Sequence, residues 1–171
     1  MELTTYTKER NLVVTENKSE LLDSFLTNSH RLGNETLKVE KDLFVEAANN
    51  ENIQFELIRM KNCQLNRVSK NISNAKNALI EADFAIADSG FLVVDTQDKD
   101  VLLSIYMAEI LHLVVPASKI LHSMDDFELI KEKSAVVLGR GIASDSVSSL
   151  SKELYFAKNI VKTMVYVLED L

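Results

Sequence analysis

Short runs made almost only of apolar residues are the feature that most constrains how this chain can fold. Residues 84–87, 91–94, 111–115 and 135–138 form such runs, separated by stretches whose apolar residues recur at helical spacing. A strand without polar alternation is buried on both faces, as in the parallel sheets of α/β proteins. The sequence therefore predicts an α/β fold with a mostly parallel sheet and helices on both of its faces.

Helical spacing and turn residues predict the remaining elements. Gly33 is expected to end the first helix, and the alternation over 53–57 indicates a strand. Residues 67–82 show helical spacing, and Pro116 closes the strand over 111–115. The other predicted helices carry these apolar and capping residues: Leu21, Leu22, Phe25 and Leu26; Leu43, Phe44, Ala47 and Ala48; Val101, Leu102, Ile105 and Ala108; Phe127, Leu129 and Ile130 after the capping pair Ser123 and Asp126.

The segment 147–171 shows the most sustained periodicity. Its apolar residues alternate spacings of three and four, which predicts a long C-terminal helix of about 24 residues. A second apolar set widens the stripe beyond what one neighbour usually covers. Two interpretations stay open: a helix that lies across the sheet, or one that also packs on a second subunit as a homodimer. The two sets are Val147, Leu150, Leu154, Ala157, Val161, Met164, Leu168 and Leu171, and Phe156, Ile160, Val165 and Val167.

Composition bounds the class of protein. The 171 residues suit a single domain over 1–171, and the net charge of −7 argues against nucleic-acid binding. No apolar run is long enough to cross a membrane, and the N-terminus lacks a signal-peptide pattern, so a cytoplasmic protein is expected. The single cysteine, Cys63, excludes an internal disulfide and any Cys-based metal site within the chain. No metal or other cofactor is predicted.

Asp88, Ser89 and Gly90 form the first candidate ligand-binding loop. They follow an apolar strand, and α/β sheets usually bind ligands at the ends of their strands. Ser89 and nearby backbone N–H groups are suited to binding an anionic oxygen. Asp88 is suited to accepting a hydrogen bond from a hydroxyl group, or to acting as a general acid or base. The alternative is a tight turn built from three common turn residues.

The second candidate loop is 139–145, which leads from a strand into the last predicted helix. Gly139 and Gly141 permit close backbone approach, and Arg140 is suited to a bidentate contact with phosphate or carboxylate. Asp145 near the helix start favours a simpler alternative, in which this residue or Ser144 is the N-cap. Phosphate binding and a plain strand-to-helix connection both stay open.

His112 is the remaining candidate. It lies within the strand 111–115, where a histidine is either a hydrogen-bonded core residue or part of a site. No nucleophile elbow, zinc-protease motif or Cys pair accompanies it. No catalytic residue is therefore assigned, and the residues alone establish no chemical reaction.

Residues 82–121 resemble the LUD (lactate utilization) domain family, as found in the C-type lactate utilization proteins. The alanine-rich strand, Asp88-Ser89-Gly90 and the following apolar strand resemble one family segment. Ser104 and the histidine-led strand from His112 to Ile120 resemble a later one. Gly139 and Asp145 fall where the family has a further glycine-led loop, although Arg140-Gly141 replaces its Pro-Ser.

The resemblance implies a fold like that of ribose-phosphate isomerase, glucosamine-phosphate deaminase and the CoA-transferases. It also implies a role in L-lactate oxidation beside iron–sulfur partner proteins, without a settled mechanism. We expect an accessory, non-catalytic subunit. Two alternatives are a small-anion-binding enzyme of the isomerase and CoA-transferase type, and an oligomeric structural protein whose ancestral site has decayed.

Overall fold

A five-stranded parallel sheet is the centre of the fold. The computed structural model describes residues 18–50, 52–69, 76–130, 135–138 and 162–170. The strand order is β1-β9-β6-β3-β2, and all four neighbouring pairs are parallel. Every carboxyl end therefore meets at one edge of the sheet. The strands are β1 (Glu35–Glu40), β2 (Leu57–Arg59), β3 (Asn77–Glu81), β6 (Ile110–Pro116) and β9 (Lys162–Glu169).

A second, mixed sheet has the order β7-β4-β5-β8. Its central pair is antiparallel, β5 also pairs antiparallel with β8, and β4 pairs parallel with β7. One face of this sheet packs with the five-stranded sheet, and Phe127 covers the other. Its strands are β4 (Phe84–Ile86), β5 (Leu92–Asp95), β7 (Ile120–Leu121) and β8 (Ala135–Leu138).

Helices cover both faces of the five-stranded sheet. The helical residues 18–31 (α1) and helix α3 (Lys99–Met107) pack on one face, and α2 (Lys41–Ala48) packs on the other. Helix α4 (Met124–Ile130) packs beside the second sheet. The Asp98 carboxylate caps α3 by accepting from the Asp100 N–H.

Neighbouring residues of one central strand enter two different apolar clusters. Ala78 and Ile80 contribute to the cluster under α1 and α3, whereas Leu79 contributes to the cluster under α2. This alternation of faces is what the period of two along a strand produces. Since both faces are buried, β3 has no polar face, and its sequence reads as an apolar run.

Several predictions from the sequence are confirmed. The fold is α/β with a mostly parallel central sheet, and helices lie on both faces. The apolar runs 84–87, 91–94, 111–115 and 135–138 overlap β4, β5, β6 and β8, with ends that differ by at most one residue. The Ser123 N–H donates to the Asp126 carboxylate at 3.3 Å, as the predicted capping pair requires. The assignment to the isomerase and CoA-transferase-like superfamily stays a prediction.

Two predictions in the first half of the chain are wrong. The strand expected over 53–57 begins only at Leu57 and runs to Arg59. The last part of the helix expected over 67–82 is a strand, β3. The prediction failed because the same apolar spacing also fits a strand that is buried on both faces. Strand β1 was not predicted at all, since its residues are mostly exposed and it lies at the edge of the sheet.

The prediction of a long C-terminal helix is also wrong for those of its residues that the structure describes. Residues 162–169 form β9, which lies between β1 and β6 in the middle of the sheet. Val165 and Val167 face one apolar cluster and Leu168 the other. The wide apolar stripe is therefore the pattern of a strand buried on both faces. Residues 147–161 lie outside the described residues.

Gly90 is a position where only glycine fits. Its φ is +76°, and an added Cβ would lie 2.5 Å from the backbone C of Asn28 and the backbone N of Ser29. We expect Gly90→Ala to lower the free energy of unfolding by about 4 kcal/mol, because backbone strain and the displacement of α1 add together. Urea denaturation followed by circular dichroism measures this loss.

Gly33→Ala is the matched control for that experiment. Gly33 also has a positive φ, +90°, but an added Cβ meets nothing within 4 Å. Only the backbone strain applies, so we expect a loss of about 1–2 kcal/mol. Equal losses in the two variants would contradict the close approach of the turn to α1.

Candidate functional site

The Asp88–Gly90 turn is packed against the end of α1. The Asn28 side-chain amide donates to the Ala87 carbonyl at 2.7 Å and to the Asp88 carbonyl at 3.3 Å. The Ser89 hydroxyl accepts from the Phe91 N–H at 3.2 Å, a contact within the turn itself. Asp88 is exposed and its N–H donates to the His122 carbonyl at 3.1 Å. These contacts are those of a structural turn, and ligand binding by these three residues stays a prediction.

His112 lies on the opposite face of the five-stranded sheet from this turn. It is only 5% exposed, its Nδ1 lies 3.1 Å from the Tyr166 hydroxyl, and its Nε2 lies 3.4 Å from Asn77 Oδ1. The ring also packs edge-on against Phe55, with centroids 5.0 Å apart. The structure therefore does not bring His112 together with Asp88. The candidates Gly139, Arg140, Gly141 and Asp145 lie outside the described residues.

The two hydrogen bonds of His112 suit a neutral ring. The Asn77 oxygen can only accept, so Nε2 donates to it, and in a neutral ring Nδ1 is then an acceptor facing the Tyr166 hydroxyl, which also lies 3.7 Å from the Met164 sulfur. Burial, with a smaller contribution from Lys162, lowers the pKa of His112 from 6.5 to about 4. The side chain thus acts as a hydrogen-bonded core histidine in the folded chain.

His112 makes stability depend on pH in the acid range. The unfolded chain binds the imidazole proton near pH 6.5, but the folded chain binds it only near pH 4. Stability contributed by the neutral ring is therefore lost as the pH falls between these values, by about 3 kcal/mol in total. Chemical denaturation at a series of pH values measures the slope. We expect His112→Gln to flatten it, and an unchanged slope would contradict a buried neutral ring.

A pocket opens at the carboxyl edge of the five-stranded sheet. Its volume is about 240 Å³, and it lies beyond the ends of β6 and β9, beside the start of α2 and the loop that follows β2. Parallel sheets commonly bind ligands at this edge, because loops from several strands meet there. We call it the edge pocket. It is lined by Lys41, Asn62, Cys63, Pro116, Ser118, Lys119, Leu168 and Asp170.

Glu81 fixes the loop that forms one wall of the edge pocket. It ends β3 and is only 2% exposed. Its carboxylate accepts from the backbone N–H of Lys61 at 2.6 Å, and from the backbone N–H and side-chain amide of Asn62 at 2.8 and 2.6 Å. A buried carboxylate is costly unless donors surround it, so these three bonds tie the loop to the sheet. Lys61 also forms an ion pair with Asp83.

The electrostatics of the edge pocket depend on Lys41 and Cys63. Cys63 is 4% exposed, and burial raises the pKa of its thiol, with a further increase from Glu81 and an opposing effect of Lys41. Lys41 is exposed, and no carboxylate in the described part of the chain lies within ion-pair distance of it. The ammonium of Lys119 instead lies 5.8 Å from the Phe84 ring centroid.

The opposite wall of the edge pocket is held by Ser118 and Asp170. The Ser118 N–H donates to one Asp170 carboxylate oxygen at 2.8 Å, and the Ser118 hydroxyl donates to the other. This pair links the residues after β6 to the end of β9. The carboxylate therefore positions the wall, and it forms no ion pair with Lys41, although both residues line the pocket.

Within the described residues, no group of three or more His, Cys, Asp or Glu side chains is arranged to hold a metal ion. No helix among them is long and apolar enough to cross a membrane. The polar groups that line the edge pocket are two ammonium groups, a thiol, an amide, a hydroxyl and a carboxylate, and neither ammonium forms an ion pair with another described residue. Such a set is suited to binding a small anion by charge and hydrogen bonds.

The family model for the LUD domain matches residues 11–142, well over half of the chain. The chain belongs to the LUD domain family. No curated protein matches it. A solved structure of a DUF162 family protein from Deinococcus radiodurans is similar to this LUD-domain chain, with a TM-score of 0.59 and 13% sequence identity. The alignment covers 88% of this chain and 98% of that one, and at this identity it supports the fold alone.

The residues of the edge pocket were not among those predicted from the sequence. Glu81 lay in a segment read as a helix, and Asp170 in the segment read as the long C-terminal helix. A usable signal was present, since Glu81, Ser118 and Asp170 each stand at or just after the end of a buried strand. That signal depends on assigning β3 and β9 correctly.

Cys63 offers a direct test of these electrostatics because it is the only cysteine. Its burial and raised pKa predict that it reacts with a thiol reagent at least about tenfold more slowly in the folded protein than in denaturant at neutral pH. Lys41→Gln should slow the reaction further, since Lys41 lowers the thiol pKa. Equal rates in folded and denatured protein would contradict this environment.

Proposed function

We propose that this LUD-domain protein binds a small anion in the edge pocket, in an accessory and non-catalytic role connected with lactate utilization. The observation that carries the binding part is the ammonium of Lys41, which has no ion-pair partner in the described part of the chain and lies at a pocket on the carboxyl edge of the sheet. The connection with lactate rests on family membership and on the resemblance of residues 82–121 to the C-type lactate utilization proteins.

The start of α2 adds to the attraction for an anion. Lys41 is the first residue of α2, and the preceding Glu40 forms no side-chain hydrogen bond with the helix start. The first N–H groups of a helix carry a partial positive charge, which reinforces the ammonium. Pro116 and Leu168 supply apolar wall beside this charged corner. Asp42 in the first turn of α2 and Asp170 in the lining oppose this attraction, but two lysines and the helix start together favour a small carboxylate or phosphate.

The state of Cys63 and Glu81 supports a binding role over a catalytic one. A nucleophilic cysteine needs a lowered pKa, whereas burial and Glu81 raise that of Cys63. The Glu81 carboxylate already accepts three hydrogen bonds from the loop, which leaves it poorly placed to move a substrate proton. An isomerase-like or transferase-like reaction would need other groups.

The partners are part of the same proposal. An accessory subunit in L-lactate oxidation would work in the cytoplasm beside iron–sulfur oxidoreductases, and the homodimer predicted from the apolar stripe over 147–171 belongs to the same proposal. Isolation from native cells under gentle conditions, followed by native mass spectrometry, tests both ideas. Recovery of the protein alone and monomeric would count against them, without bearing on the edge pocket.

Lys41→Gln tests the anion site. We expect it to weaken the binding of small anions such as acetate or inorganic phosphate by about fivefold to tenfold, because it removes one charge from the pocket. Chemical shift changes during an anion titration, followed by NMR, measure the affinity. The removed group is exposed, so the fold should be unaffected.

Lys76→Gln is the matched control. Lys76 is also an exposed lysine, but it pairs with Glu109 at 4.0 Å at the amino edge of the sheet, opposite the pocket. Its replacement changes the net charge by the same amount and should leave anion affinity almost unchanged. Equal losses in the two variants would mean that the anions respond to overall charge and not to the edge pocket.

A further inference from the structure

The Asn62 amide has a fixed orientation in the wall of the edge pocket. Its Nδ2 donates to a Glu81 carboxylate oxygen at 2.6 Å, and the reverse orientation would place two acceptor oxygens against each other. Nδ2 is therefore held on the Glu81 side. The amide oxygen, Oδ1, is left without a donor among the described residues, on a side chain that lines the pocket.

We propose that Glu81 is a positioning residue which holds the Asn62 oxygen available to the edge pocket, so that the pocket selects anions carrying their own hydrogen-bond donor. The inference rests on the proposed anion site and specifies its ligand chemistry. Lys41 supplies the attraction for the negative charge, and the Asn62 oxygen accepts the O–H or N–H of the ligand. An anion without a donor leaves that oxygen unpaired.

Inorganic phosphate and sulfate separate this selection from simple charge attraction. The two anions have nearly the same size and shape. In mildly acidic buffer, phosphate is mostly a singly charged anion with O–H donors, whereas sulfate is doubly charged and has none. A pocket governed by charge alone would prefer sulfate. A pocket that presents the Asn62 oxygen prefers phosphate, by about tenfold for one well-formed hydrogen bond.

The experiment is a titration of the full chain with phosphate and with sulfate, followed by NMR, in wild type and two variants. Asn62→Ala removes the acceptor, and the backbone N–H donors of Lys61 and Asn62 to Glu81 remain, so we expect the phosphate preference to disappear because phosphate affinity falls more than sulfate affinity. Glu81→Gln presents an NH₂ group to Asn62, so the Asn62 amide turns over and offers a donor instead. The preference should then fall or reverse toward sulfate.

Asn66→Ala is the control on the same loop. Asn66 is exposed and does not line the pocket, so its variant should keep the wild-type preference. If wild type binds sulfate as tightly as phosphate, the selection is overturned although the anion site stands. Binding of neither anion overturns the anion site, and the selection with it. If the phosphate preference persists in Asn62→Ala, another group is responsible for it, and the proposed role of Glu81 is overturned as well. The Asn62 result decides this even if Glu81→Gln fails to fold.

Discussion

Burial of a parallel sheet on both faces is the constraint on which the rest of this structure depends. Ala78, Leu79 and Ile80 are consecutive, yet they enter the two apolar clusters on opposite sides of the sheet. The helices α1 and α3 cover one side and α2 the other, so the central strands β3 and β6 are buried on both faces, whereas the edge strand β1 is mostly exposed. The polar residues of β3 stand at its two ends, and His112 within β6 is held by hydrogen bonds to Tyr166 and Asn77. Since all five strands run in the same direction, the loops that follow them meet at a single edge, and the edge pocket forms there.

Glu81 shows how the edge is connected to the core. A carboxylate that is only 2% exposed would be strongly destabilising without donors, and the loop after β2 supplies three of them. The dependence runs in both directions. The loop has its shape because it must satisfy the carboxylate, and the carboxylate can be buried because the loop closes over it. One consequence is that the pocket wall containing Asn62 and Cys63 is attached directly to the end of the strand from which Glu81 comes.

The sequence predicted the elements whose apolar runs are short and clearly bounded. Strands β4, β5 and β6 were placed correctly because a turn, a helix start or Pro116 separates each from its neighbour. It failed at β3 and β9, where apolar residues on both faces of a strand can also be counted as one helical stripe. Periodicity alone does not distinguish a helix from a strand in these segments, because pairing with the neighbouring strands decides which of the two forms. The edge pocket was missed for the same reason: Glu81 and Asp170 belong to those two strand ends, and its other residues come from distant segments.

Hydrogen-bond satisfaction separates the structural polar residues from the candidate binding residues. In the described part of the chain, no buried side-chain nitrogen or oxygen lacks a partner. His112 and Ser89 were both candidate binding residues in the sequence. The His112 ring nitrogens contact Tyr166 and Asn77, and the Ser89 hydroxyl accepts a hydrogen bond within its own turn. Lys41 and the Asn62 oxygen differ, because they belong to side chains that line the pocket and they have no ion-pair or hydrogen-bond partner among the described residues. Binding a ligand there costs no internal hydrogen bond. A ligand at His112 or Ser89 would have to replace contacts that hold the folded chain together, and this asymmetry favours the edge pocket over those two residues.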